Sequence, residues 1–128
     1  MQLMVEVSVG EVIDKITILD LKLQRISDPS KLANVRTELE SLTSAVSAIA
    51  SSVELERLRG ELFSVNAALW EIEDDIRLCE AAGDFGPRFI ALARAVYVTN
   101  DKRAALKKQI NLAAGSRLVE EKSYAGSL

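Results

Sequence analysis

The chain contains no histidine. That absence removes imidazole acid–base catalysis, the serine and cysteine nucleophile systems that need a histidine base, and the commonest zinc ligand. Any chemistry would fall to carboxylates, lysine, arginine or tyrosine. The single cysteine, Cys79, has no partner thiol for a disulfide or a metal spacing; it falls on an apolar helical position and reads as a buried thiol. No apolar run approaches the ~18 to 20 residues of a bilayer span. The opening Met1-Gln2-Leu3-Met4 places no basic residue ahead of an apolar stretch, so no secretory signal is expected and the cytoplasm is the simplest address. Nor is there an excess of positive charge: a net charge of −3 and a pI near 5.1 give no general attraction for nucleic acid or anionic lipid.

What the chain does have is helical punctuation and heptad spacing. Its 128 residues, 48% hydrophobic and 27% charged, suffice for one globular domain with its own core. Ser8-Val9-Gly10-Glu11 has the form of a capping box, and Val9, Val12, Ile16, Leu19, Leu23 and Ile26 follow three and four apart. Ser27-Asp28-Pro29 ends this first helix and starts the next, with Asp28 as N-cap and Pro29 in the first turn. The seam resumes at Leu32, Val35, Leu39, Leu42, Val46 and Ile49, and so short a connection predicts an antiparallel hairpin. Ser41 to Ser52, rich in serine and alanine, is the weakest helical stretch and the joint between hairpins.

A third helix starts near Ser51 or Ser52, with Glu54 available for a second capping box, and carries Leu55, Leu58, Leu62, Val65, Leu69, Ile72, Ile76 and Cys79 over roughly 40 Å. Gly83 suits a left-handed cap and Pro87 the first turn of a fourth helix, whose apolar face holds Phe89, Leu92, Val96, Leu106 and Ile110 and which Gly115 closes. The expected fold is all-α: two antiparallel helical hairpins forming a four-helix bundle or coiled-coil-like assembly, with a short extended N-terminus. The expected divisions of this single domain are an arm over 1–8, a first hairpin over 9–50, a longer second hairpin over 51–114 and a tail over 115–128.

Leu3, Val5 and Val7 alternate with polar or flexible residues as in a short strand, which predicts pairing with the tail, through Leu118, Val119 and Tyr124, or with a neighbouring subunit. Charge is segregated as well. Between Val53 and Ala81 eight acids stand against three arginines, about −5; between Pro87 and Leu112 six bases stand against one acid, about +5. The third and fourth helices are therefore expected to attract each other.

Beside the third helix's seam runs a second stripe, Phe63, Asn66, Trp70, Glu73 and Arg77, and the fourth helix has a counterpart in Ala93, Tyr97, Asn100, Ala104, Lys107 and Asn111, with Arg103 adjacent. Folding the hairpin at its loop sets Trp70 level with Asn100, Glu73 with Tyr97, and Asn66 with Arg103. Such a stripe reads first as a hydrogen-bonded layer that fixes register, and second as a pocket for a small anionic or polar ligand built from Asn66, Trp70, Glu73, Arg77, Tyr97, Asn100, Arg103 and Lys107. Glu11 with Asp14, and Glu71 with Asp74, have the spacing of carboxylate pairs that hold magnesium in helical nucleotide pyrophosphohydrolases. Glu11 lies in the first turn of its helix and Glu71 roughly 27 Å along its own, so no metal and no cofactor are expected. A chorismate-mutase-like helical enzyme would draw on the same arginines, lysines and carboxamides, but that family's motif does not map onto these positions.

Val7-Ser8-Val9-Gly10-Glu11-Val12-Ile13-Asp14-Lys15-Ile16-Thr17-Ile18-Leu19, Leu69-Trp70-Glu71-Ile72-Glu73-Asp74-Asp75-Ile76-Arg77, Thr99-Asn100-Asp101-Lys102-Arg103-Ala104 and Glu120-Glu121-Lys122-Ser123-Tyr124 resemble a small bacterial all-helical family of unknown function. The resemblance implies a bacterial protein of this architecture and assigns no activity, cofactor or catalytic residue. The function expected from the sequence is a non-enzymatic, self-associating helical interaction module, a homodimer or higher oligomer, with the ligand-binding stripe or a small helical enzyme as the alternative.

Overall fold

A computed structural model describes residues 1–126. Its four helices are α1 (Val9–Arg25), α2 (Pro29–Val46), α3 (Val53–Ala82) and α4 (Pro87–Ala114), and the described residues form no strand. No helix among them is long and apolar enough to cross a membrane.

Most helix ends are written in the sequence. The Asp28 side chain accepts from the Ser30 amide ahead of Pro29, and Gly83 and Gly115 close α3 and α4 with φ of 67° and 68°, which a side chain would strain. Ser8 caps α1 by accepting from the Glu11 amide at 3.2 Å. The capping box is not closed, because the Glu11 carboxylate turns to Lys107 instead. At α3 the cap is Ser52, accepting from the Leu55 amide; Glu54 then sits one position short of a box and pairs with Arg57.

The heptad seams find their partners unevenly. Helix α1 packs against all three others and is buried on most of its circumference: besides Val12, Ile16 and Leu19 of the seam, a second stripe of Gly10, Asp14, Thr17 and Leu21 is also buried. Helix α2 lies along α1 and buries only Val35 completely. Its C-terminal end, through Val46 and the following Ile49, reaches the core of Ile13, Leu55, Leu58, Leu62, Leu106 and Ile110.

In the second hairpin the fully buried positions of α3 are Leu55, Leu58, Leu62 and Asn66, with Cys79 alone near the far end; those of α4 begin only at Leu106. Between these limits Leu69, Ile72, Ile76, Leu92 and Val96 are half-buried, although the last turn of α1 reaches α3 at Glu71 through Arg25.

The expected strand is corrected. The ends do meet, but through side chains: Arg117 pairs with Glu6, and the Ser116 hydroxyl accepts from the Val9 amide at 3.3 Å, with no strand ladder. Of the tail segment 115–128, residues 127 and 128 lie outside the described residues. The opposite charges of α3 and α4 give few direct pairs across the hairpin. Among the described residues only Arg88 and Asp75, 3.9 Å apart, pair across that hairpin, whereas Arg103, Lys107 and Lys108 turn to α1 and the tail. The charged positions flank the α3–α4 seam, so their partners come from whatever packs on those flanks.

Candidate functional site

Where α1 crosses the second hairpin, a polar cluster runs from the buried Asp14, Thr17 and Asn66 to the half-buried Arg103 and Glu11 and the exposed Glu120. The Asp14 side chain, 1% exposed, accepts at Oδ1 from Arg103 Nε and from Asn66 Nδ2, both at 2.9 Å, and at Oδ2 from Arg103 Nη2 at 2.5 Å. The two-pronged contact fixes the guanidinium in direction as well as distance. The Asn66 amide also donates to Thr17 Oγ1 at 2.9 Å, and that hydroxyl donates to the Asp14 carbonyl at 2.7 Å. One turn away, Lys107 Nζ donates to Glu11 Oε2 at 2.7 Å and to Glu120 Oε2 at 2.8 Å. At the next turn Asn111 Oδ1 accepts from the Gly10 amide at 2.6 Å.

Local sequence explains the convergence. On α4, Arg103, Lys107 and Asn111 are four apart and share a face; on α1, Gly10, Asp14 and Thr17 do the same at spacings of four and three. Gly10 lets the helices close, since a Cβ there would lie 2.5 Å from the Lys107 carbonyl oxygen. Asn66 enters from α3 and Glu120 from the tail, so one cluster ties three helices and the tail together. No buried side-chain nitrogen or oxygen among the described residues lacks a hydrogen-bond partner.

The charges reinforce this arrangement. Burial pushes the Asp14 carboxyl up, but the hydrogen bonds from Arg103 and Asn66, with the charges of Arg103 and Lys107, outweigh it and hold the group below its ordinary value. The bond to Asp14 raises Arg103. Burial lowers Lys107, yet its bonds to Glu11 and Glu120 leave it raised, and the bond to Lys107 lowers Glu120. Two cations, Arg103 and Lys107, thus face three carboxylates, Asp14, Glu11 and Glu120. Chemically, the arrangement is suited to holding helices in register.

The eight stripe residues are divided by the structure. Asn66, Arg103 and Lys107 converge, with Asp14 of α1 standing between Asn66 and Arg103. Trp70 and Asn100 are half-buried further along the hairpin. Glu73 and Arg77 are exposed and pair with each other at 3.3 Å, while Tyr97 is exposed and its hydroxyl accepts from Arg94 Nε at 3.4 Å. The stripe is therefore not one continuous layer between α3 and α4. Helix α1 covers it at Asn66, Arg103 and Lys107, and it is exposed at Glu73, Arg77 and Tyr97.

Sequence reasoning missed Asp14, Thr17, Glu11 and Glu120 as members of the cluster. The polar pair Asp14 and Thr17, in line with Gly10 and Leu21 on a helix otherwise rich in apolar residues, is the signal that identifies α1 as buried on a second face. The carboxylate pairs considered for a metal lie apart: Glu71 pairs with Arg25, at the opposite end of α1 from Glu11. Among the described residues no three Asp, Glu, Cys or His side chains are placed to share an ion.

A family model described as a family of unknown function, DUF6165, matches residues 3–128, nearly the whole chain. The chain belongs to that family. The match takes in the cluster of this DUF6165 chain from Glu11 to Glu120. No curated protein and no solved structure matches it.

Proposed function

We propose that this chain is a non-enzymatic, self-associating helical module. In this reading the Asp14 cluster holds α1 on the near half of the second hairpin, and the far half receives a second copy. The observation that carries it is the burial pattern: no residue of α3 from 67 to 78, and none of α4 from 87 to 105, is fully buried, although both stretches continue the heptad seam. Beyond the reach of α1, whose last turn meets α3 at Glu71, two helices alone cannot enclose a seam, and a second hairpin supplies the missing layer.

The direction of docking follows from the stripe. The face that α1 covers at Asn66, Arg103 and Lys107 runs on at helical spacing through Trp70, Asn100, Tyr97, Ala93 and Ile90, with Tyr97 and Ile90 each 55% exposed. A shallow groove of about 440 Å³ lies on it, lined by Ile76, Phe89, Ala93 and Val96 and rimmed by Glu73, Arg77 and Glu80. A rim carrying both signs suits a two-fold contact, in which each copy's Arg77 meets the other's acids.

Sedimentation velocity across the micromolar range tests the proposal. A dimer or larger species is expected, reverting toward monomer in Ile90→Glu without loss of helical dichroism. A monomer mass at every concentration would overturn it.

A further inference from the structure

A second surface is independent of the distal face. On the other side of α4, Arg57, Gly60, Glu61, Ser64 and Val65 of α3 and Lys102, Ala105, Leu106 and Gln109 of α4 line an open groove of about 690 Å³. Gly60 and Ala105 keep it wide, and a Cβ added at Gly60 would meet nothing within 4 Å. Half-buried Val65 supplies apolar surface, with the 8% of Leu106 that stays exposed beneath it, and Lys102 on the rim has no acidic partner among the described residues.

The same chain carries a segment with the complementary character. Before α1, Met1, Leu3, Met4, Val5 and Val7 are 114%, 83%, 93%, 76% and 48% exposed, and the segment's one ion pair among the described residues is Glu6 with Arg117. In extended form it would present Met1, Leu3, Val5 and Val7 on one side and Glu6 on the other. Same-side residues of an extended chain recur about every 6.7 Å, so Leu3, Val5 and Val7 span about 13 Å. Residues 57 to 65 of α3 span about 12 Å along the helix.

We infer that the groove between Gly60 and Ala105 receives the arm of a second copy, with Leu3, Val5 and Val7 over Val65 and Leu106 and Glu6 directed to Lys102. A second copy is favoured over the chain's own arm by position. The arm leaves α1 at Gly10, which rests on Lys107 and Asn111. Residues 103, 107 and 111 occupy the face of α4 opposite to 102, 105 and 109, so the chain's own arm would have to pass round a helix ~10 Å across to reach its own groove. This contact goes beyond the distal interface proposed above and uses none of its residues.

The experiment places a photoreactive benzoylphenylalanine at Val5 in the full chain. Equal amounts of chains with ordinary and heavy nitrogen are mixed, irradiated and mapped by mass spectrometry, with sedimentation run on the same samples. Adducts between differently labelled chains, on residues 57–65 or 102–109, are expected. Gly60→Arg should reduce them at least tenfold while leaving the melting temperature unreduced, since its Cβ enters open space and arginine favours a helix more than glycine does. Adducts confined to one chain, adducts elsewhere on the surface, or adducts undiminished by Gly60→Arg would overturn the inference. Oligomers without a groove adduct would overturn it and leave the distal interface standing, whereas monomers at all concentrations would overturn both.

Discussion

Gly10 of α1 lies directly against the backbone of Lys107 in α4: a Cβ at Gly10 would be 2.5 Å from the Lys107 carbonyl oxygen and 3.0 Å from Asn111 Oδ1. The obstruction is helix backbone, which cannot rotate away. Gly10→Ala should therefore separate the two helices and lower stability by about 1 to 3 kcal/mol, despite alanine's better helix propensity. Gly60→Ala, whose Cβ enters open space, should raise stability by up to about 1 kcal/mol. Urea denaturation of the two variants compares a packing effect with a propensity effect.

Asp14→Asn keeps the shape of the side chain but leaves the Arg103 guanidinium without its anion. A loss on the order of 3 kcal/mol is expected, because the remaining charge stays partly buried. Arg103→Gln should cost a comparable amount, and the double variant should cost less than the two added together, since each change removes the same pair. Purely additive losses in denaturant titration would mean that the pair is not coupled.

The same carboxylate sets a pH dependence. Asp14 is held below its ordinary value, so its contribution is fully present above the unfolded value of about 3.9 and is lost as pH falls through the lower, folded value. The stability difference between the parent and Asp14→Asn should stay constant from pH 7 to about pH 5 and shrink below about pH 4. Melting curves across that range measure it, and a gap that widened in acid would contradict the assignment.

Leu62 and Leu69 occupy equivalent seam positions one heptad apart, but Leu62 is fully buried and Leu69 only half-buried. Leu62→Asp should abolish cooperative unfolding, with a cost above about 4 kcal/mol. Leu69→Asp should leave a folded chain with weakened self-association. Dichroism-monitored melting together with sedimentation separates the two outcomes.

The helices and most of their boundaries were legible because their signals are local. Asp28 before Pro29, Gly83, Pro87 and Gly115 act through their own backbone and need no tertiary partner. The level of Asn66 with Arg103 was legible too, since a hairpin's register follows from its loop. What connects them was not. Asp14 comes from the preceding hairpin, and nothing in the stripes of α3 and α4 specifies which flank α1 will cover. Glu11 was assigned to a cap because that role is local, but Lys107 holds it from 96 residues away. Glu120 lies in a segment without helical or strand periodicity, so only the fold places it. The opposite net charges of α3 and α4 give one direct ion pair between them among the described residues, Arg88 with Asp75, because net charge along a helix does not say which way each side chain faces.

If the far half of the second hairpin is a surface for a second copy, hydrogen exchange at two protein concentrations reads it directly. Amides around Leu69 to Ile76 of α3 and Ile90 to Tyr97 of α4 should become more protected as concentration rises, while those around Leu58, Leu62 and Ile110, already enclosed, should not change. Protection that is the same at both concentrations throughout the far half would contradict the account.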